Sequence, residues 1–278
     1  MHNSTVNITT PEASSNSTSI GIMQSLDIAM YLINFVFGLP IHSYIIWLIV
    51  TGTRSRVASE FFVLNLSLTE IVVSLNCLFF ALTYWFSSFL ILRIFFIGFS
   101  ITARPLFQCL MCVERYLAVV HPVTFLKYKP LRYRAFCCVV TWIITLGSCL
   151  CCNFILTSFG IYAHAWFYMP QFILYLSIQL FCLVAVLRAL KQSGPGERKR
   201  EKEENHMKRK AFNIILLTTV NMVILYVPIT VSALFNNLTQ LNIQEVWLPA
   251  LICYVLASFL QPVLYLHRNG KCLCFHPP

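Results

Sequence analysis

Residues 166–190 read WFYMPQFILYLSIQLFCLVAVLRAL, and this stretch decides the fold class of the chain. Its only charged residue is Arg188, close to the end of the stretch. About 20 consecutive apolar residues are enough for a helix to cross the hydrocarbon core of a bilayer. The stretch therefore predicts a membrane-spanning helix.

Six further apolar runs of similar length occur along the chain. The predicted spans, numbered one to seven, cover residues 27–50, 61–86, 89–120, 135–156, 166–190, 211–235 and 246–266. Spans two and three nearly fuse, because the sequence stays apolar from Phe61 to Val113. A helix of that length would be roughly twice as long as a bilayer is thick, so we expect a break near Ser87 and Ser88. The sequence thus predicts an all-α membrane protein, a bundle of seven transmembrane helices.

The overall composition excludes a soluble globular domain. The chain has 278 residues, of which 58% are hydrophobic and 11% charged, and its mean hydropathy is +0.73. Soluble domains are less apolar and about twice as charged. The net charge of +10 does not indicate nucleic-acid binding, because the basic residues lie between the apolar runs rather than on a soluble face.

The basic residues also predict the orientation of the bundle. Of the 20 Lys and Arg residues, all but Arg93 and Arg104 fall on one side of the predicted membrane. The positive-inside rule therefore puts the C-terminus in the cytoplasm and the N-terminus outside. Four glycosylation sequons fall on the outer side, at Asn3, Asn7, Asn16 and Asn237. We expect a flexible glycosylated tail at 1–26 without a cleaved signal peptide, the bundle at 27–266, and a short cytoplasmic tail at 267–278.

Several motifs stand at fixed places in these spans. Glu114-Arg115-Tyr116 closes span three, Trp142 lies within span four, Pro228 lies within span six, and Gln261-Pro262-Val263-Leu264-Tyr265 closes span seven. This ordered set resembles the rhodopsin-like (class A) G-protein-coupled receptors, with their Asp/Glu-Arg-Tyr and Asn-Pro-x-x-Tyr motifs. Residues 113–134 are most similar to the purinergic and protease-activated branch.

The resemblance implies a multi-pass receptor of the plasma membrane, surrounded by lipid, that couples an unknown extracellular ligand to a heterotrimeric G protein. It implies no cofactor, no metal and no nucleic acid, and the sequence has no motif of an intramembrane enzyme. The G-protein cleft would be formed by Glu114, Arg115, Tyr116, Lys208, Arg209 and Lys210. Arg115 would pair with Glu114 or swing into the partner. Lys208 stands where some members carry an acid that clamps this arginine, and a like charge cannot clamp.

The polar centre of the bundle departs from the family pattern at four positions. The resemblance aligns Glu70 with the usual sodium-binding Asp, Arg104 with a small hydroxyl residue, and His42 and Gln261 with two Asn positions. Charges at the bilayer centre are costly and need a partner. We hypothesise that the Arg104 guanidinium replaces the ion and pairs with Glu70, while His42 and Gln261 complete the hydrogen bonds. The alternative is a buried pair retained only for helix packing.

The expected activation switch also includes altered residues. Tyr226 replaces the usual Trp two residues before Pro228, while Pro262 and Tyr265 keep their usual places at the end of span seven. Pro105 should kink span three or free a backbone carbonyl there.

An outer ligand pocket would be lined by aromatic residues and one cation. The expected lining is Tyr84, Trp85, Arg93, Trp166, Tyr168, Trp247 and Tyr254. Such a charge-poor cavity favours a small or lipidic ligand, with an acid group meeting Arg93. The absence of Lys from span seven excludes a retinal Schiff base there.

The cysteines depart from the family too. Its usual bridge from span three is missing, because Leu90 occupies the first position and the loop 157–166 has no Cys. Cys149, Cys151 or Cys152 could pair with Cys253, although thiols within membranes are more often free. Cys272 and Cys274 are candidates for palmitoylation. Two other classes stay open: an ion- or proton-coupled transporter that uses Glu70 and Arg104, and a receptor-like protein that no longer signals.

Overall fold

The computed structural model describes residues 12–53, 57, 60–83, 85–128, 130–191, 199–239 and 244–268. Within these ranges the chain forms helices and turns and no strand. The α-helices are Glu12–Ile33, Leu39–Val50, Phe61–Leu82, Leu90–Val120, Pro122–Tyr128, Leu131–Lys191, Lys199–Thr239 and Gln244–Arg268.

Six helical segments are long and apolar enough to cross a membrane. They are Gln24–Val50, Phe61–Leu82, Leu92–Val120, Leu131–Gly160, Trp166–Lys191 and Ala211–Phe235. The seventh predicted span lies in the helix Gln244–Arg268, whose apolar part is the shorter Leu248–Val263. The prediction of an all-α, seven-helix bundle is confirmed, and the span numbers are kept below.

Span one begins earlier than expected and contains a π-helical turn. Its helix starts at Glu12, so residues 12–26 are helical where we expected an irregular tail. Pro11 precedes the helix, and the next proline is Pro40, so no proline stops the helix of span one from extending backwards. The π-helical turn covers Asn34–Gly38, and the helix then resumes as Leu39–Val50.

Spans two and three separate where the serines stand. The helix of span two ends at Leu82, a 3-10 turn covers Ser87–Phe89, and the helix of span three starts at Leu90. Span two therefore ends four residues before the predicted limit at 86. Its last turn is closed by the Thr83 hydroxyl, which donates to the Phe80 carbonyl at 2.7 Å.

Spans four and five are joined by a much shorter break than the predicted loop 157–166. The helix Leu131–Lys191 is interrupted only at Gly160, which has φ 81° and ψ −175°. This positive φ is strained for any residue with a Cβ, while the space around Gly160 is open. The glycine is thus required by the backbone conformation and not by close packing.

Span three lies at the centre of the bundle and is the most buried of the membrane-length segments. It packs against spans two, four, five and six. At Gly98 a Cβ atom would lie 2.8 Å from Cys152 Cβ and 3.0 Å from Cys149 Cα, so a side chain would push span four away. Span four is also tied to span two, because the Trp142 indole donates to Asn65 Oδ1 at 3.1 Å.

Candidate signalling core

The centre of the bundle holds a buried ion pair between spans two and three. Arg104 Nε donates to Glu70 Oε1 and Arg104 Nη2 donates to Glu70 Oε2, each at 2.5 Å. The two side chains are only 1% and 3% exposed. Both carboxylate oxygens are therefore bound by the planar fork of one guanidinium, the geometry in which arginine binds carboxylates most strongly.

Span seven completes the contacts of this pair. Arg104 Nη2 also donates to Ser258 Oγ at 3.1 Å, and the guanidinium lies 4.9 Å from the centre of the Tyr254 ring. Arg104 Nη1 has no hydrogen-bond partner among the described residues. The pair thus joins three spans, and a cation–π contact adds to its electrostatic stabilisation.

The remaining hydrogen bond to the ion pair differs from the one we expected. We assigned it to His42 and Gln261, but within the described residues Ser258 makes it. The His42 ring lies beside the Ser258 backbone, while neither of its ring nitrogens makes a hydrogen bond of normal geometry to a described residue. Gln261 lies three residues further along span seven, almost one helical turn, and is only half-buried.

A second contact in the core joins spans three and six. Pro105 lies inside the helix of span three and has no N–H to donate to the Ile101 carbonyl four residues earlier. The Tyr226 hydroxyl donates to that carbonyl oxygen at 3.0 Å. A side chain of span six therefore supplies the hydrogen bond that the proline removes from span three.

The Tyr226 ring lies in an apolar cluster at the meeting point of four spans. It stacks on Phe172 of span five with ring centroids 5.4 Å apart. The buried members of the cluster are Cys109, Tyr175, Met222, Leu225, Tyr226 and Ala257. Any movement of span six at this level has to rearrange close packing with spans three, five and seven.

The end of span three carries a second ion pair. Glu114 binds Arg134 Nη2 at the beginning of span four, so the expected contact between Glu114 and Arg115 is replaced. Arg115 is half-buried and makes no ion pair with any described residue. The next residue, Tyr116, bonds to His121 Nε2 at 3.0 Å.

Comparison with known proteins shows the family of the chain. Residues 43–265 match the family model described as 7 transmembrane receptor (rhodopsin family). The chain belongs to this family. Similar proteins include C-C chemokine receptor type 8 of Homo sapiens, 24% identical over 77% of this chain and 64% of the relative. Chemokine XC receptor 1 of Homo sapiens is 30% identical over 62% of this chain and 56% of the relative.

A third relative has a different kind of ligand in its name. Hydroxycarboxylic acid receptor 2 of Rattus norvegicus is 25% identical over 70% of this chain and 59% of its own length. The receptor described here thus spans less than two thirds of these relatives' length. The expected purinergic and protease-activated branch is not confirmed, since these relatives are chemokine and hydroxycarboxylic acid receptors. Like its family, the receptor is a multi-pass protein of the plasma membrane.

The Gln-Pro-x-x-Tyr end of span seven packs on span one. Tyr265 is 5% exposed and lies in a cluster with Ile45 and Ile49. Pro262 lies inside its helix and has no N–H for the Ser258 carbonyl four residues earlier. His42 of span one lies beside this Ser258 backbone. The Ser258 carbonyl is thus the second one, after that of Ile101, that loses its backbone donor to a proline. Pro228 is likewise inside the helix of span six.

The described members of the predicted pocket lie in different surroundings. Trp85 and Trp166 are 63% and 59% exposed and face outward. Tyr168 is buried against span three, with its hydroxyl 3.1 Å from the position of a Cβ on Gly98. Tyr254 belongs to the polar centre through Arg104. Tyr84 and the side chain of Trp247 lie outside the described residues.

Arg93 is the one pocket residue whose surroundings suit a ligand anchor. Its guanidinium lies 3.4 Å from the centre of the Phe80 ring, and Nη1 donates to Thr83 Oγ1 at 3.3 Å. These contacts direct Arg93 towards span two and hold it at a defined position.

Some predicted sites fall outside the described part of the chain. Asn3, Asn7, Cys272 and Cys274 are among them, as are the side chains of Lys208, Lys210 and Asn237. Asn16 lies in the extended helix of span one, and Arg209 is exposed. None of the ten described cysteines is in a disulfide, so Cys149, Cys151 and Cys152 do not form a disulfide with Cys253.

Sequence reasoning missed Ser258 and Arg134 and did not connect Tyr226 to Ile101. A signal existed for the last contact, because a proline within a span always leaves the carbonyl four residues earlier in need of a donor. No such signal existed for Ser258 or Arg134, whose contacts depend on how the spans rotate against one another.

Proposed function

We propose that this receptor converts the binding of an extracellular ligand into activation of a heterotrimeric G protein. The observation that carries the proposal is Arg115, at the end of span three, whose neighbour Glu114 is engaged by Arg134. An arginine keeps its charge at any physiological pH, and Arg115 makes no ion pair with any described residue, which leaves its charge available to a partner. The N-terminus lies outside the cell in this proposal, and the Arg115 end faces the cytoplasm.

Family membership and a run of basic residues before span six both support the Arg115 end of the bundle as the surface that binds the G protein. Arg209 is exposed at the start of span six, with Lys208 and Lys210 beside it in the sequence. Together with Glu114, Arg115 and Tyr116 they form the proposed cleft. A positively charged cleft attracts acidic segments of a partner.

The proposed ligand is a small or lipidic molecule with an acid group. Arg93, held against Phe80 and Thr83, would bind the acid at the outer end of spans two and three. One relative is named for hydroxycarboxylic acids, which fits this chemistry. A chemokine is the second candidate, because other relatives are chemokine receptors.

The Glu70–Arg104 pair takes the place of a sodium ion in this proposal. The guanidinium supplies a fixed positive charge beside the carboxylate, and both carboxylate oxygens already accept hydrogen bonds from it. The same saturation disfavours the transporter alternative, since a carrier needs a carboxylate that binds and releases its ion or proton.

The test is basal and ligand-stimulated nucleotide exchange on a panel of G proteins in cell membranes. Wild type is compared with Arg115→Ala and with Arg132→Ala, an arginine of the same end that stacks on Tyr133, at matched surface expression. We expect exchange above that of empty membranes for wild type and Arg132→Ala, and its loss in Arg115→Ala. Equal exchange in Arg115→Ala and wild type would overturn the proposal. Ligand arms with small carboxylic acids and with chemokines separate the two ligand classes.

A further inference from the structure

The Ile101 carbonyl of span three lacks its usual backbone donor. Pro105 removes the backbone donor of this carbonyl, and a buried carbonyl without a donor is costly. Within a membrane no bulk water can replace the missing bond. The Ile101 oxygen therefore needs a donor from another part of the bundle.

Tyr226 supplies that donor from span six. Its hydroxyl lies 3.0 Å from the Ile101 oxygen, and the side chain is 5% exposed. The ring is held by stacking on Phe172 and by the surrounding apolar cluster. The hydroxyl is thus positioned by packing, while its hydrogen bond is made necessary by a proline in a different helix.

We infer that Pro105 and Tyr226 act together as a latch, in which the Tyr226 hydroxyl fixes span six to span three and restrains the movement of span six away from span three. Tyr226 is a positioning residue, since it belongs neither to the predicted ligand pocket nor to the proposed G-protein cleft. The signalling part of this inference rests on the proposed function. The hydrogen-bond coupling between Pro105 and Tyr226 stands on its own.

The latch predicts a specific pattern of energetic coupling. Tyr226→Phe keeps the ring and deletes the hydroxyl, so it leaves the Ile101 carbonyl without a donor. Pro105→Ala restores a backbone N–H that can serve the same carbonyl within span three. The loss caused by Tyr226→Phe should therefore be large when Pro105 is present and small in the Pro105→Ala background, a non-additivity that a double-mutant cycle measures.

The first measurement is the melting temperature of the detergent-solubilised full-length receptor. We expect Tyr226→Phe to lower it by about 2 to 4 °C, the shift typical of one buried hydrogen bond in a protein of this size. In the Pro105→Ala background the same change should lower it by less than half as much. Tyr175→Phe is the matched control, because Tyr175 lies in the same cluster and its hydroxyl donates to Gln171 Oε1 of its own span.

The second measurement is basal nucleotide exchange for wild type, Tyr226→Phe, Pro105→Ala, the double variant and the Tyr175→Phe control. Loss of the latch should raise basal exchange about fivefold in Tyr226→Phe, the shift that corresponds to about 1 kcal/mol in a two-state equilibrium. Pro105→Ala should reduce this rise to below twofold, and Tyr175→Phe should leave exchange unchanged. If Tyr226 had a purely structural role, Tyr226→Phe would lower surface expression but would not raise basal exchange in a way that Pro105→Ala reduces.

The outcomes separate the inference from the proposed function. Equal melting shifts for Tyr226→Phe in both backgrounds would overturn the latch, and so would a fall in basal exchange in Tyr226→Phe. If the melting temperatures couple as expected while wild type and every variant fail to activate any G protein, the hydrogen-bond coupling stands. In that case the proposed function fails, and the signalling role of the latch fails with it.

Discussion

Two glutamate–arginine pairs among the described residues each have one member on span three, and they differ in depth and in geometry. Glu70 and Arg104 at the bundle centre are 3% and 1% exposed, while Glu114 and Arg134 at its end are 10% and 8% exposed. The central carboxylate accepts both of its bonds from one guanidinium fork. At the end of the bundle the recorded ion pair joins one oxygen of Glu114 to one nitrogen of Arg134.

This difference follows from the cost of taking charges out of water. Deep in the bundle an incomplete pair would leave part of a charge without compensation, so only a full fork with further donors is tolerated. Near a membrane surface, long side chains can reach water or lipid headgroups, so a charge there does not need a complete fork of hydrogen bonds. The central pair is therefore expected to fix the structure, and the end pair to be exchangeable.

The largest effect is expected from breaking the central pair on one side. Glu70→Gln leaves the buried Arg104 without a counter-charge, and we expect a loss of about 3 to 5 kcal/mol in stability. The measurement is the melting temperature of the purified receptor, with surface expression as a second readout. The double variant Glu70→Gln/Arg104→Met removes both charges and should recover most of the loss.

The double variant shows whether charge compensation or side-chain packing accounts for the stability that Glu70→Gln loses. If it is as unstable as Glu70→Gln alone, the stability lost comes from packing of the guanidinium against Tyr254 and Ser258 rather than from an uncompensated charge. That result would contradict the view that the central pair fixes the structure because each buried charge needs compensation.

The two pairs also differ in how far sequence could predict them. The cost of a lone charge within a span is enough to match Glu70 with Arg104, since they are the ionisable residues nearest the middle of spans two and three. Nothing comparable singles out Arg134, one of several basic residues after span three. The short helix Pro122–Tyr128 and the turn that follows bring Arg134 back to Glu114, and that path is not encoded in any local pattern.

The helices show the same limit. Apolar runs predict where a chain crosses the membrane, and the serines at 87 and 88 indicate the break between spans two and three. The conformation of Gly160 and the π-helical turn Asn34–Gly38 have no such signature. Ser258 was missed for a related reason, because which of two nearby polar residues on span seven faces Arg104 depends on the rotation of that helix.

A smaller effect is expected from breaking the pair at the end of the bundle. Arg134→Ala should reduce stability by less than half as much as Glu70→Gln, because Arg115 lies near enough to the freed Glu114 to act as a second counter-charge. Melting temperatures of Arg134→Ala and the Arg132→Ala control provide the measurement. A loss as large as that of Glu70→Gln would show that both pairs are structural, and the contrast between them would disappear.

The smallest effect is expected from sodium, and it is the sharpest test of what the central pair replaces. In wild type both Glu70 oxygens are engaged by Arg104, so replacing choline chloride with sodium chloride should change neither exchange nor melting temperature. Arg104→Ser removes the fixed cation and leaves a buried carboxylate beside Ser258, which should then be stabilised by sodium more than by choline. Arg134→Ser, which alters the end pair, should show no such preference. Sodium-specific suppression of exchange in wild type would mean that an ion still enters the centre, and the guanidinium would then be an addition to the sodium site rather than its substitute.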